Sequence, residues 1–113
     1  MDEKKIGKKF LPMTEATYYI LLSLVERKHG YSIMQYVEEI SNGRLKIGPG
    51  TLYGVLSKME SEKIITIVAI EDKRKYYILT ELGVKVLNME IKRLKELYDN
   101  GIKYGGNIDG EKS

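Results

Sequence analysis

Residues 48–61, GPGTLYGVLSKMES, intersperse glycine with hydroxyls, one phenol and one lysine. Such groups, on backbone that can be approached closely, suit hydrogen bonds to phosphate and to base edges. Pro49 has its φ preset for the first position of a helix, which makes Gly48 the cap and Gly50 the second residue. Helical periodicity then turns Leu52, Val55, Leu56 and Met59 inward. It leaves Gly50, Gly54, Ser57, Lys58 and Ser61 outward, with Thr51 and Tyr53 on the flanks. The unbonded amides near Gly48 and Gly50 can hold a phosphate, aided by the helix dipole. GPGT is not a nucleotide loop, because no Gly-Lys-Ser/Thr ending follows a strand.

Bond-making chemistry finds little here. One histidine and no cysteine cannot build a structural zinc site. His29 is expected to end the first helix of the core near its negative pole. Glu38 and Glu39 are neighbours on a helix, about 100° apart, and do not converge on one atom. No serine, lysine or carboxylate set forms a catalytic constellation, so neither an enzyme nor a cofactor is expected. Lys and Arg number 19 against 16 acids, a net charge of +3, with a pI near 9.0. That balance permits an anionic partner such as nucleic acid. No apolar run approaches the ~18 residues of a membrane span. The start, MDEKKIGKKF, lacks the pattern of a signal peptide. Absence of cysteine fits a reducing compartment, so a cytoplasmic protein with no membrane partner is expected.

The elements around this segment are legible from pattern. Residues 1–12, with Lys4, Lys5, Lys8 and Lys9, read as a flexible basic arm. Thr14 caps a first helix running to about Lys28, with an apolar centre YYILLSLV. A second helix runs from Tyr31 to about Ser41, with Ile33, Tyr36, Val37 and Ile40 on one face. Asn42-Gly43 ends it. Arg44 and Lys46 follow, in the turn before the third helix, where backbone contacts to a duplex often occur. After Lys63 the period changes. IITIVAI (64–70) and YYIL (76–79) make a two-stranded hairpin whose tip carries Lys73, Arg74 and Lys75. Thr80 caps a final helix over about 81–103, with Val84, Leu87, Ile91, Leu94 and Tyr98 in a coiled-coil-like seam. Residues 104–113 read as a disordered tail. The whole is α+β, mainly α: three helices and a two-stranded wing over residues 13–80, the layout of a winged helix-turn-helix. In that layout the third helix enters the major groove.

The same residues carry a family resemblance. The block HGYSIMQYVEEISNGRLKIGPGTLYGVLSKMESEKIITI, followed by KRKYYILTELG, resembles the PadR family of bacterial transcriptional regulators. Its strongest pieces are Gly30-Tyr31, GTLY at 50–53 with Leu56, and RKYYILTELG at 74–83. The single C-terminal helix resembles the compact branch of that family. The resemblance implies a homodimeric repressor of double-stranded operator DNA that responds to a small aromatic or hydrophobic effector. It places Thr51 and Tyr53 in the recognition helix and Arg74 and Lys75 at the base of the wing. LTELG then marks the turn into the dimerisation helix. The EDKR tip (71–74) is shorter than the tips of many relatives and leaves open how far the wing reaches.

The seam over 84–98 has two compatible readings: packing on the first helix, and pairing with a second chain. About five turns of helix carry more apolar stripe than so small a domain can cover, which favours pairing. Tyr18 or Tyr19, with Met89, Ile91 and Tyr98, is a candidate ligand cleft between chains; a plain closed core is the competing reading. A different class of function also stands: a winged-helix module that uses the long helix to bind proteins and keeps no DNA role.

Overall fold

The structure, a computed structural model, describes residues 2–105. In chain order the elements are α1 (Glu3–Phe10), α2 (Glu15–Ser23), α3 (Gly30–Ile40), α4 (Pro49–Ser61), β1 (Ile65–Glu71), β2 (Arg74–Leu79) and α5 (Glu81–Gly105). The three helices α2–α4 and the β1–β2 hairpin form a winged helix-turn-helix, and α5 extends from it. Ile20, Leu21, Leu24, Ile33, Val37, Leu52, Leu56, Ile64 and Val86 are buried at its centre. Each such side chain contributes about 1.5–3 kcal/mol by leaving water. Among the described residues no helix is long and apolar enough to cross a membrane.

The expected loose arm at 1–12 is instead a helix. Asp2 caps α1 by accepting from the Lys5 amide at 2.9 Å, and Ile6 is fully buried where α1 packs on α5. Ile6 and Phe10, one turn apart, make the whole apolar face of an eight-residue helix with four lysines, too short a stripe to announce a helix in the sequence. At the other end α5 continues through Gly105, two residues past the expected 103. The predicted tail beyond that point lies outside the described residues.

The first core helix is shorter than its apolar run. Thr14 does cap α2, accepting from the Thr17 amide at 3.1 Å. The helix stops at Ser23 rather than near Lys28. Residues 24–28 turn away to pair with β2: Lys28 and Tyr77 exchange amide–carbonyl bonds at 3.1 and 2.9 Å, and the Leu79 amide donates to Leu24 at 3.0 Å. The outer edge of β2 thereby finds partners for backbone groups that would otherwise be left unpaired. His29 does not end α2. It caps α3, its ring nitrogen accepting from the Ser32 amide while the Ser32 hydroxyl accepts from the His29 amide.

Two turns fix the angles that matter. Asn42 and Gly43 both have positive φ after α3, and the Gly43 amide donates to Glu38 at 2.8 Å. That closes a Schellman motif and aims the chain at α4. In the hairpin, Asp72 and Lys73 have φ of 51° and 65° and join β1 to β2 as a two-residue turn. Positive φ at both positions matches the right-handed twist of the strands. The wing is therefore as short as its sequence suggested.

A candidate nucleic-acid interface

The α4 helix begins as its sequence dictates, with Gly48 as cap and Pro49 in the first turn. Leu52, Leu56 and Met59 are buried against the core. At 100° per residue, the line most remote from that core is Gly50, Gly54, Ser57 and Ser61, all exposed. A β-carbon on Gly50 or Gly54 would meet nothing within 4 Å. Nothing inside the molecule requires glycine there. The Ser61 hydroxyl donates to the Lys58 carbonyl at 2.8 Å, which keeps it low on the helix surface. The ridge is thus narrow, and Lys58 beside it brings positive charge.

Tyr53 leaves α4 on the side of the wing and is half exposed. Its hydroxyl end sits over Gly30, where any β-carbon would collide with it. Gly30 is thereby the seat of Tyr53, a role the sequence reading did not find. Tyr53, His29, Tyr31, Lys73, Arg74 and Lys75 surround one polar cleft of about 350 Å³. The structure so brings the flank of α4 and all three wing cations together. Burial, and next the Arg74 guanidinium, hold the His29 imidazole below its ordinary pKa. Arg27 stacks over the Tyr76 ring at 4.6 Å and pairs with Glu71 at 3.1 Å, bracing the wing root.

Thr51 is exposed on the opposite flank of α4. Arg44 and Lys46 carry acidic partners: Arg44 pairs with Glu15, and Lys46 lies 3.9 Å from Glu38. Exposed pairs of this kind contribute about 0–1 kcal/mol, so either cation can turn to another anion at little cost. Among the described residues no group of three or more His, Asp or Glu is placed to hold a metal ion.

The predicted seam on α5 divides in two. Leu87 is buried in the chain's own core and Leu94 is half-buried, whereas Val84, Ile91 and Tyr98 stand exposed. Leu97, Ile102 and Tyr104 extend the exposed apolar surface beyond what was predicted. The predicted ligand cleft also divides. Tyr18 and Tyr19 meet edge to face at 5.8 Å and share a cavity of about 350 Å³ with Leu94, Arg44 and the pair Glu90–Arg93. Ile91 and Tyr98 do not line it, and Met89 lies on the other flank beside Glu3 and Lys85. Residues two apart on a helix point about 200° apart, so Met89 and Ile91 cannot share one wall. Glu90, also missed, is buried and accepts from Arg93 at 2.6 and 2.9 Å and from the Met13 amide at 2.9 Å. The Arg93 hydrogen bonds hold its carboxyl below the usual range, opposing the upward push of burial. Burial, then Tyr19 and Glu90, raise the Tyr18 phenol.

Comparison with known proteins decides the family. The profile of the transcriptional regulator PadR-like family matches residues 20–89, from the middle of α2 into α5. The chain belongs to this PadR-like family. Protein X of Lysinibacillus sphaericus is 31% identical over 96 residues, covering 74% of this chain and 88% of that one. A 37.1 kDa protein of transposon Tn4556 from Streptomyces fradiae is 30% identical over 84 residues. The match covers 74% of this chain and only 24% of that longer protein. Among solved structures, Bacillus subtilis PadR in complex with operator DNA is 28% identical with a TM-score of 0.62. That match covers 71% of this chain and 48% of the PadR chain. The α1 helix, the first half of α2 and residues 90–105 of α5 lie outside the PadR-like match.

Proposed function

We propose that the chain is a dimeric, sequence-specific regulator of transcription that represses its targets by occupying operator DNA. The observation that carries this reading is the ridge Gly50–Gly54–Ser57, bare where nothing inside the molecule needs it bare, beside a cleft lined by wing cations. A helix presenting so little side chain can sit deep in a major groove, with base edges close to its backbone. Lys58 and the wing residues Lys73, Arg74 and Lys75 then supply phosphate contacts. Arg44 and Lys46 add to these from the turn before α4. That Bacillus subtilis PadR binds operator DNA with a related chain supports the same role here.

The exposed seam of Val84, Ile91 and Tyr98 on α5 pairs with the same seam of a second copy. Two α4 helices then address half-sites about one duplex turn, ~34 Å, apart. A small aromatic or hydrophobic ligand relieves repression by binding one arrangement of the pair better than the other. Residues 13–80 act as the DNA-binding unit and the helix from 81 as the pairing unit.

Selection of bound duplexes from a random pool tests the reading. An enriched two-fold sequence is expected, with affinity falling steeply as salt rises. Lys58→Ala lowers the salt slope by about 0.9 if its ammonium neutralises one phosphate. Absence of any enriched duplex, together with a stable complex to another protein, would favour the protein-interaction module instead.

A further inference from the structure

His29 has two ring nitrogens, and the fold uses one of them. Nδ1 accepts from the Ser32 amide in the first turn of α3 at 3.4 Å, while the His29 amide donates to the Ser32 hydroxyl at 3.0 Å. A nitrogen that accepts carries no proton, so the neutral ring bears its hydrogen on Nε2. Among the described residues Nε2 has no hydrogen-bond partner. Tyr76 meets the imidazole edge to face at 5.2 Å, and Arg27 lies over Tyr76 in turn, which restrains the ring. Burial and then Arg74 hold its pKa down, so the ring is neutral at pH 7. The same half-buried ring lines the polar cleft that Tyr53 shares with Lys73, Arg74 and Lys75. No carboxylate lines that cleft. Among the described residues none of its three cations makes an ion pair, and Glu71 at the wing root is engaged by Arg27. The walls therefore carry positive charge with nothing inside the chain to balance it.

We propose that the Nε2–H of neutral His29 donates to one backbone phosphate of the duplex, seated in the cleft between Tyr53 and the wing. The contact rests on the reading of α4 as the helix in the groove. The flank of α4 and the wing are the two sides of this cleft, so a duplex that receives α4 carries its backbone between them. The three cations draw the phosphate in, and the directed hydrogen of His29 fixes where it stops. The charged form of the ring is unsuited to this work. Its Nδ1–H would face the Ser32 amide, donor against donor, and α3 would lose its cap. One side chain thus starts α3 with one nitrogen and sets the register of the backbone with the other.

His29→Asn separates the two roles. Asparagine keeps the cap, its Oδ1 standing where Nδ1 stood, but its amide nitrogen ends near the place of Cδ2, short of Nε2. Thermal unfolding verifies that the variant folds, and His29→Ser, a second strong cap with no distal donor, replaces it if it does not. On a duplex from the random-pool selection, His29→Asn is expected to raise the Kd about tenfold. The slope of log Kd against log salt stays as in the wild type, because a neutral donor releases no counterion. Duplexes with a single methylphosphonate, moved phosphate by phosphate through a half-site, locate the contact. At one position the wild-type chain loses about tenfold and His29→Asn less than about twofold, and elsewhere the two lose alike. A Kd within about twofold of the wild type, a salt slope lower by about 0.9, or no position at which the two chains differ overturns the contact. Gly54→Ala on the same duplex tests the reader helix separately. Full affinity there sinks α4 as the reader while the phosphate coupling of His29 stands by itself, and a chain that binds no duplex at low salt overturns both.

Discussion

Replacing Gly54 by alanine separates folding from recognition. The added methyl meets nothing within 4 Å, so it introduces no clash. It removes the backbone entropy that glycine loses in a helix interior, about 0.5–1 kcal/mol. For a domain of this size the melting temperature rises by about 2–6 °C. On the proposed ridge the same methyl stands between α4 and the groove floor. Holding the helix off its contacts costs about 1–3 kcal/mol of binding, or about 5- to 150-fold in Kd. Thermal unfolding by circular dichroism reads the first number. Fluorescence anisotropy on a selected duplex at fixed salt reads the second. A variant that is more stable and binds as well as the wild type would refute the ridge as the reading surface. One that is less stable would refute the open helical geometry at Gly54.

The same substitution at Gly83 has the opposite sign. Its β-carbon would collide with the Ile64 carbonyl oxygen, with the carbonyl carbon only 3.1 Å away, so Gly83→Ala lowers stability by about 1–3 kcal/mol in chemical denaturation. Gly30→Ala displaces the Tyr53 hydroxyl, a side-chain end that can move; DNA affinity falls several-fold while the fold survives, which paired anisotropy and melting curves read. Ile91→Glu with Tyr98→Glu places charge on the exposed seam of α5; sedimentation equilibrium is expected to show monomers and anisotropy a loss of operator affinity. His29 has a depressed pKa in the folded chain, so the unfolded chain binds more protons just below pH 6.5 and stability falls as pH drops through that value. Glu90 is likewise depressed, and its contribution is lost only as pH falls below 4.5. Denaturation midpoints measured across pH 3–8 should show two separate declines, the upper one absent in His29→Asn.

Local signals were legible and distant ones were not. Pro49 marks the start of α4, Thr14 and Thr80 cap their helices, and the change to period two reveals the hairpin, because each depends on residues within one turn of each other. The end of α2 was misread because Leu24 and Lys28 bond to Leu79 and Tyr77, about fifty residues along the chain. The α1 helix is not legible because only Ile6 and Phe10, a single i, i+4 pair, anchor it. Nothing near Glu90 in the sequence marks it as buried, because its partner amide belongs to Met13, 77 residues away. At the candidate interface, the outward line of α4 followed from periodicity. The seating of Tyr53 on Gly30 did not, since only tertiary packing brings α3 beneath it.

Ile64 has a consequence for how motion can travel. Its amide donates to Met59, at the end of α4, at 2.9 Å. Its carbonyl accepts from the Thr80 amide at 3.0 Å and the Thr80 hydroxyl at 3.1 Å, while Gly83 packs directly against it. One residue, through both its backbone groups, therefore ties the far end of α4 to the root of α5. A tilt of α5 can reach α4 through this short, hydrogen-bonded link without crossing the hydrophobic core.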